Sequence, residues 1–381
     1  MNGKPSTASA PPLPRAGRHA AGALRQGAVP LFFSALCVAG VIAAGLDLNF
    51  LINEIITRLG RNSFLVLSLL VPVVAGLGLN FGIVIGAMAG QTALIIVTHY
   101  RIEGLGGFGL AALLAVPFAV LFGWLTGLTL NKAKGREMVT SFIMGFFANG
   151  LYQLVFLVLL GTVIPMKDPV LMLSSGVGLR NTVDLIGVAG SLDRALDGLW
   201  NGLIMAEIGP IPIGPWRLPI LTLLVTAVLC LVLAFLLRTR LGQRMRAVGQ
   251  DMHVAEVAGI NVNRTRLTAI IISTVLAAWG QLIFLQNIGT LNTYNSHEQV
   301  GMFSIAALLV GGATTRRATI WNALLGVLLF YTLFVVSPLA GQRILGIPQI
   351  GEYFRVFLAY GVIAVALALH AWQGRAGRSE A

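Results

Sequence analysis

Few residues in this chain stand where they could do covalent chemistry. His297-Glu298 opens like the zinc-binding H-E-x-x-H helix, but position 301 is Gly, so the second metal ligand is missing. His19, His99, His253 and His370 pair with no carboxylate at ligand spacing. Cys37 and Cys230 each lie inside an apolar run, which leaves neither a disulfide framework nor a metal cluster. Gly104-Leu-Gly106-Gly-Phe-Gly109 spells G-x-G-x-x-G, yet no strand precedes it, so it reads as a flexible helix start. No G-x-x-x-x-G-K-[ST] occurs, so nucleotide hydrolysis by that route is not expected of this chain. What remains is a set of neutral amides inside apolar stretches: Asn80, Gln91, Asn149, Gln153, Gln281, Gln286, Asn287 and Asn322. An amide both donates and accepts, so these groups can line a pathway for hydroxyl or nucleobase groups, or they can join helices to one another.

The elements that must hold these amides follow from composition. The 381 residues are 56% hydrophobic and 10% charged, with a mean hydropathy of +0.85. A soluble domain carries about 25% charged residues, so this chain reads as an all-α integral membrane protein. Ten stretches approach the ~20 apolar residues that a bilayer crossing needs. They lie near 30–46, 63–79, 80–98, 107–129, 139–161, 218–237, 267–288, 302–315, 319–338 and 353–372. The eighth is short. The second and third are nearly fused through residues 76–82, where three glycines predict a tight reversal or a broken helix. The net charge of +12 could suggest nucleic acid, but in so apolar a chain it fits basic cytoplasmic loops better. With ten alternating spans and both termini inside, the inner segments hold 17 basic and 4 acidic residues, the outer ones 9 and 10. That satisfies the positive-inside rule.

Residues 1–29 read as a disordered cytoplasmic tail rather than a cleaved leader, 30–372 as the membrane domain and 373–381 as a second cytoplasmic tail. The longest outer loop, 162–217, spaces Leu192, Leu196 and Leu199 along one face of an expected helix over Val183–Leu203. Such a helix would lie on the outer membrane surface or on the protein's own outer face. Gly82, Gly86 and Gly90 recur every fourth residue, as do Gly123 and Gly127, which predicts close helix packing. No expected span carries Asp, Glu, Lys or Arg near its middle. That argues against a proton-driven carrier and for a neutral or zwitterionic solute.

The longest inner loop, 238–266, holds six arginines. Within it Gly249 breaks the chain, Asp251 is a good N-cap, Met252–Ala258 can make two helical turns, and Gly259 stops them. A short helix between two glycines, flanked by Arg244 and Arg246, is what a docking element looks like. Leu237–Arg266 is similar to the cytoplasmic coupling loop of bacterial ABC-importer permeases of the ribose, nucleoside and branched-chain amino acid type. Residues 128–151 and 305–329 resemble two further segments of that family, and the likeness runs roughly from 63 to 372. The resemblance implies that Ala247, Gly249, Glu256, Ala258 and Gly259 belong to the coupling element. It also implies three partners in the inner membrane system: an ATPase that binds ATP and Mg, a second permease, identical or related, and an extracytoplasmic solute-binding protein. No cofactor is expected on this chain. The solute expected is a simple sugar or nucleoside, with a branched-chain amino acid, or a stand-alone ion-coupled carrier, as the alternatives.

Overall fold

A computed structural model describes residues 15–166, 168, 171–195 and 218–376. Thirteen helices carry the described chain. They are α1 (Arg15–Ala44), α2 (Leu48–Ser68), α3 (Leu70–Val74), α4 (Ile83–His99), α5 (Gly104–Lys132) and α6 (Glu137–Leu154), which a π-helical turn prolongs over Val155–Leu159. There follow α7 (Ile220–Leu236), α8 (Arg240–Gln250), α9 (Met252–Val257), α10 (Val262–Ile288), α11 (Ser296–Val310), α12 (Ile320–Leu345) and α13 (Pro348–Ala376). Among the described residues the one sheet is an antiparallel pair, β1 (Thr182–Asp184) with β2 (Thr290–Asn292), in which Val183 faces Leu291.

Five runs are long and apolar enough to cross a membrane: Leu48–Val74, Gly104–Lys132, Glu137–Leu159, Val262–Ile288 and Ile320–Leu345. A sixth arises if α7 and α8, bent by 72°, count together. Val29–Ala44 and α4 are apolar but shorter. The buried helix α10 organises the packing, because small residues let α4 and α5 approach its backbone. A Cβ on Gly86 would stand 2.7 Å from the Thr274 carbonyl oxygen, and one on Gly90 would stand 2.5 Å from that of Ala278. On α5, a Cβ at Gly123 would come within 3.0 Å of the Ile271 Cα, and one at Gly127 within 2.5 Å of the Leu267 side chain. Gly82 is different. It sits at the N-cap of α4 and donates its N–H to Asn80 Oδ1.

The connections gather at two opposite ends of the bundle. At one end the turn after α3 touches Gly249, Gly78 lies against Met138 and Thr315, and Arg266 meets Glu137. At the other end Gly104 N–H bonds the Gly187 carbonyl at 2.7 Å, Leu185 N–H bonds Gly289 at 3.0 Å, and β1 pairs with β2. The basic segments 131–138, 238–266 and 316–317 thus share the first end.

Several expectations change. The second span begins at Leu48, not near 63, so Glu54, Arg58 and Arg61 are inside a helix of the bundle. The bundle therefore carries charge, with Arg61 at the level of Asn287 near the end of α10. These groups are matched locally: Arg58 bonds Glu54 at 3.1 Å, and Arg61 Nη1 bonds Asn287 Oδ1 at 2.8 Å. The 76–82 reversal is a turn in which Gly76 and Gly78 both have positive φ. Of the helix expected over Val183–Leu203, the described part is strand β1 and a series of turns to residue 195, and the rest lies outside the described residues. Helix α1 starts at Arg15, within the stretch read as a tail, while residues 1–14 lie outside the described residues. At the other terminus α13 continues to Ala376, and residues 377–381 are likewise outside it.

Candidate functional site

The arginine-rich loop folds into two short helices. Thr239 caps α8 by accepting the Gly242 N–H, and Asp251 caps α9 by accepting the N–H groups of His253 at 2.8 Å and Val254 at 3.0 Å. These bonds hold the Asp251 carboxyl below its ordinary range, Val254 contributing most. Gly259, with φ +80°, ends the turn after α9. Gly249 is not a break in the chain. It lies in the last turn of α8, where a Cβ would stand 2.2 Å from the Val74 carbonyl oxygen. The loop has its own small core of Val248, Ala255 and Val262. Its outer face presents Arg244, Arg246, Glu256, Ala258 and Gly259, with Ala247 half-buried behind them. Two apolar residues on α9, Val254 and Val257, are 63% and 78% exposed. An exposed apolar pair among charges suits a protein partner.

One residue that the sequence reading left among the loop arginines ties this element to the bundle. Arg266 is fully buried. Its guanidinium donates to Glu137 Oε1 at 2.7 Å, the Leu130 carbonyl at 3.2 Å, Asn131 Oδ1 at 3.2 Å and Met252 Sδ at 3.0 Å. It therefore joins the start of α9 to the end of α5 and the start of α6. The planar fork of arginine makes four such contacts from one side chain; lysine could not. The signal in sequence was weak, because Arg266 is one of six arginines and Glu137 lies far from it along the chain.

The amides divide into three groups. Gln91, at the middle of α4, and Asn149, at the middle of the α6 run, converge on His297 at the start of α11. His297 Nδ1 is 3.0 Å from Gln91 Oε1 and Nε2 is 2.9 Å from Asn149 Oδ1. Asn149 also donates a short hydrogen bond to Glu298 and accepts one from Gln153 at 3.3 Å. Gln281 joins the edge of this node through Ser296 at 3.4 Å. The Tyr152 ring lies 4.9 Å from the His297 ring. Neither His297 nor Glu298 was expected here; the discarded zinc motif was the one sequence cue to them. Helix α11 has 15 residues, about 22 Å of rise, short of the ~30 Å hydrocarbon core. Its N-terminal end, with its polar residues, lies inside the bundle beside the middle of α4 and of the α6 run.

The second group, Gln286 and Asn287, lies at the opposite end from α9. Both donate to Asp193, Gln286 at 2.9 Å and Asn287 at 2.5 Å, and Thr222 donates to the same carboxyl at 2.5 Å. This latch fastens the 185–195 turns to α10 and α7. The third group is local: Asn80 caps the turn before α4, and Asn322 completes a capping box with Thr319 at the start of α12.

Geometry thus defines a bundle of helices, several of them long and apolar enough to cross a membrane, with an exposed pair of short helices at one end and a polar node around His297. The match to known proteins agrees. Residues 51–367 match the family described as branched-chain amino acid transport system / permease component, and the chain belongs to that family. It is 32% identical over 178 residues to the nucleoside ABC transporter permease protein NupC of Lactococcus lactis subsp. cremoris, covering 45% of this chain and 53% of that one. It is 28% identical over 137 residues to the xylose transport system permease protein XylH of Haemophilus influenzae, 35% of this chain and 34% of that one. It is 26% identical over 176 residues to the galactose/methyl galactoside import permease protein MglC of Salmonella typhimurium, 46% of this chain and 50% of that one. The matched part spans about half the length of these relatives or less. No solved structure matches the chain.

Proposed function

We propose that this chain is the permease subunit of an ATP-driven importer in a bacterial inner membrane, spanning it ten times with both termini in the cytoplasm. The observation that carries the reading is α9, exposed on its outer face and held from within by Arg266 to α5 and α6. In this reading a partner ATPase, which binds ATP and Mg, docks on Arg244, Arg246, Val254, Glu256, Val257, Ala258 and Gly259. Its movement passes through Arg266 and Glu137 to the helices around the node. A second permease completes the pathway, and a binding protein delivers solute to the far end. The positive-inside rule supports the orientation, since the basic segments share the end that carries α9.

The relatives are named for nucleosides, xylose and galactose, so the solute in this reading is a simple sugar or nucleoside. A branched-chain amino acid is the second reading, favoured by the family's description. The test replaces Glu256 with Trp and Val257 with Asp on the exposed face of α9. ATP-dependent uptake should fall at least tenfold while the amount of protein in the membrane stays normal. Unchanged uptake would remove the docking assignment.

A further inference from the structure

The polar node around His297 has an internal direction. A neutral imidazole carries one N–H. If His297 donates from Nε2 to Asn149 Oδ1, its Nδ1 must accept. The partner it then needs is an amide N–H, and the Gln91 amide nitrogen, buried and otherwise unpartnered, supplies one when the amide turns half a revolution. The order is then Gln91 to His297 to Asn149 to Glu298, each group donating to the next. With Asn149 Oδ1 occupied by His297 and by Gln153, its Nδ2 is committed to Glu298. The chain ends on a carboxyl group, and among the described residues Asn149 is the one hydrogen-bond partner of the Glu298 side chain. His297 and Gln91 are fully buried, whereas Asn149, Gln153 and Glu298 are partly exposed. An acidic side chain facing hydrocarbon at mid-depth costs about 2.5–3.5 kcal/mol, so such groups face a bundle interior or a water-filled path.

We propose that Glu298, oriented by Asn149 and His297, reads a pair of adjacent hydroxyl groups on the solute as it crosses. A carboxylate presents two oxygens that accept two neighbouring O–H groups together, as it does from the fork of arginine. The Asn149 and Gln153 amides border the same site and can satisfy a third polar group. The same carboxylate repels the carboxyl end of an amino acid, which costs affinity for that solute class. The inference rests on the importer reading and narrows it: the solute carries a vicinal diol, as a sugar or a ribonucleoside does.

The experiment uses cells that express the full chain with its own ATPase and binding protein. Uptake of radiolabelled uridine, D-xylose, D-galactose and L-leucine is compared for the parent, Glu298→Gln and Glu298→Ala. In parallel, Glu298→Cys in a Cys37→Ser, Cys230→Ser background is exposed to a membrane-impermeant thiol reagent. The expected result is transport of at least one hydroxylated probe, a tenfold or greater loss in both Glu298 variants, and labelling of position 298 that the same probe slows. A deoxy analogue lacking one hydroxyl of the pair should lose its competition with the parent but be unaffected by Glu298→Ala. Uptake of L-leucine alone, or of none of the four, overturns the importer reading for a diol and the inference with it. Uptake of a hydroxylated probe that Glu298→Ala leaves unchanged, or no labelling at 298, overturns the inference alone.

Discussion

Replacing Arg266 with Ala is the sharpest perturbation of the connection between the arginine-rich loop and the bundle. The guanidinium is fully buried and makes four contacts, and the Glu137 side chain that faces it is only 11% exposed. Truncation leaves Glu137 buried without its cation and strips the Leu130 carbonyl and Asn131 of a donor. Breaking a buried pair by removing one partner costs about 3–5 kcal/mol, because an uncompensated charge remains. Replacing both residues with methionine removes the charge problem, so the double variant should be within about 1–2 kcal/mol of the parent. The single Glu137→Met change should cost nearly as much as Arg266→Ala, and a cycle built from Arg266→Met and Glu137→Met should show a coupling of about 4 kcal/mol or more. The assay is equilibrium unfolding in mixed micelles, followed by tryptophan fluorescence. A cost below about 1 kcal/mol for Arg266→Ala, or strictly additive single changes, would refute the argument.

Other outcomes follow from the same coordinates. Gly249→Val puts a branched side chain against the Val74 backbone and should destabilise by about 1–3 kcal/mol or more, read as a lower unfolding midpoint, while Gly109→Ala in α5, where a Cβ meets nothing within 4 Å, should change it less. Asp193→Ala leaves Gln286, Asn287 and Thr222 without their shared acceptor and should cost about 1–3 kcal/mol; cleavage of the 185–195 segment by protease should rise with it. Orientation is read with single cysteines in a cysteine-free background: Ile186→Cys should be labelled from outside and Gln250→Cys should not, and the reverse would overturn the topology. Ile186 suits the test because its side chain is 80% exposed. The Asp251 cap has a depressed folded-state value, so its contribution is present above the ordinary carboxylate range and is lost as pH falls through the lowered one. Amide exchange at Val254 should therefore stay protected until pH falls below that ordinary range, and Asp251→Ala should abolish the protection at neutral pH.

Much of the bundle was legible because bilayer helices announce themselves by length and hydropathy. The exceptions have specific causes. Helix α2 was read from 63 because Glu54, Arg58 and Arg61 lower the local hydropathy, yet each is matched inside the fold by an ion pair, an amide or an aromatic face, including Arg58 and Arg61 over Phe334 and Phe284. Residues 183–203 space Leu192, Leu196 and Leu199 as a helix would, but Val183 is claimed by a strand pairing with residue 291, a long-range partner that no local pattern contains. In the arginine-rich loop, Asp251 and Gly259 carry local signals, a cap and a stop, and were readable. Arg266 and Glu137 were not, since their roles exist only once α5, α6 and α10 converge. The amides were readable as a class, but their sorting was not: Gln91 and Asn149 meet at His297, Gln281 reaches the same node through Ser296, Gln286 and Asn287 fasten an outer turn, and Asn80 caps a local one.

The most direct test of the importer account is uptake by proteoliposomes that contain the purified chain. One set includes the partner ATPase with ATP and Mg inside and the binding protein outside. A second set contains this chain alone, under an imposed sodium or proton gradient. The account predicts solute accumulation in the first set only, abolished by a non-hydrolysable ATP analogue. Accumulation in the second set, driven by either gradient, would contradict it.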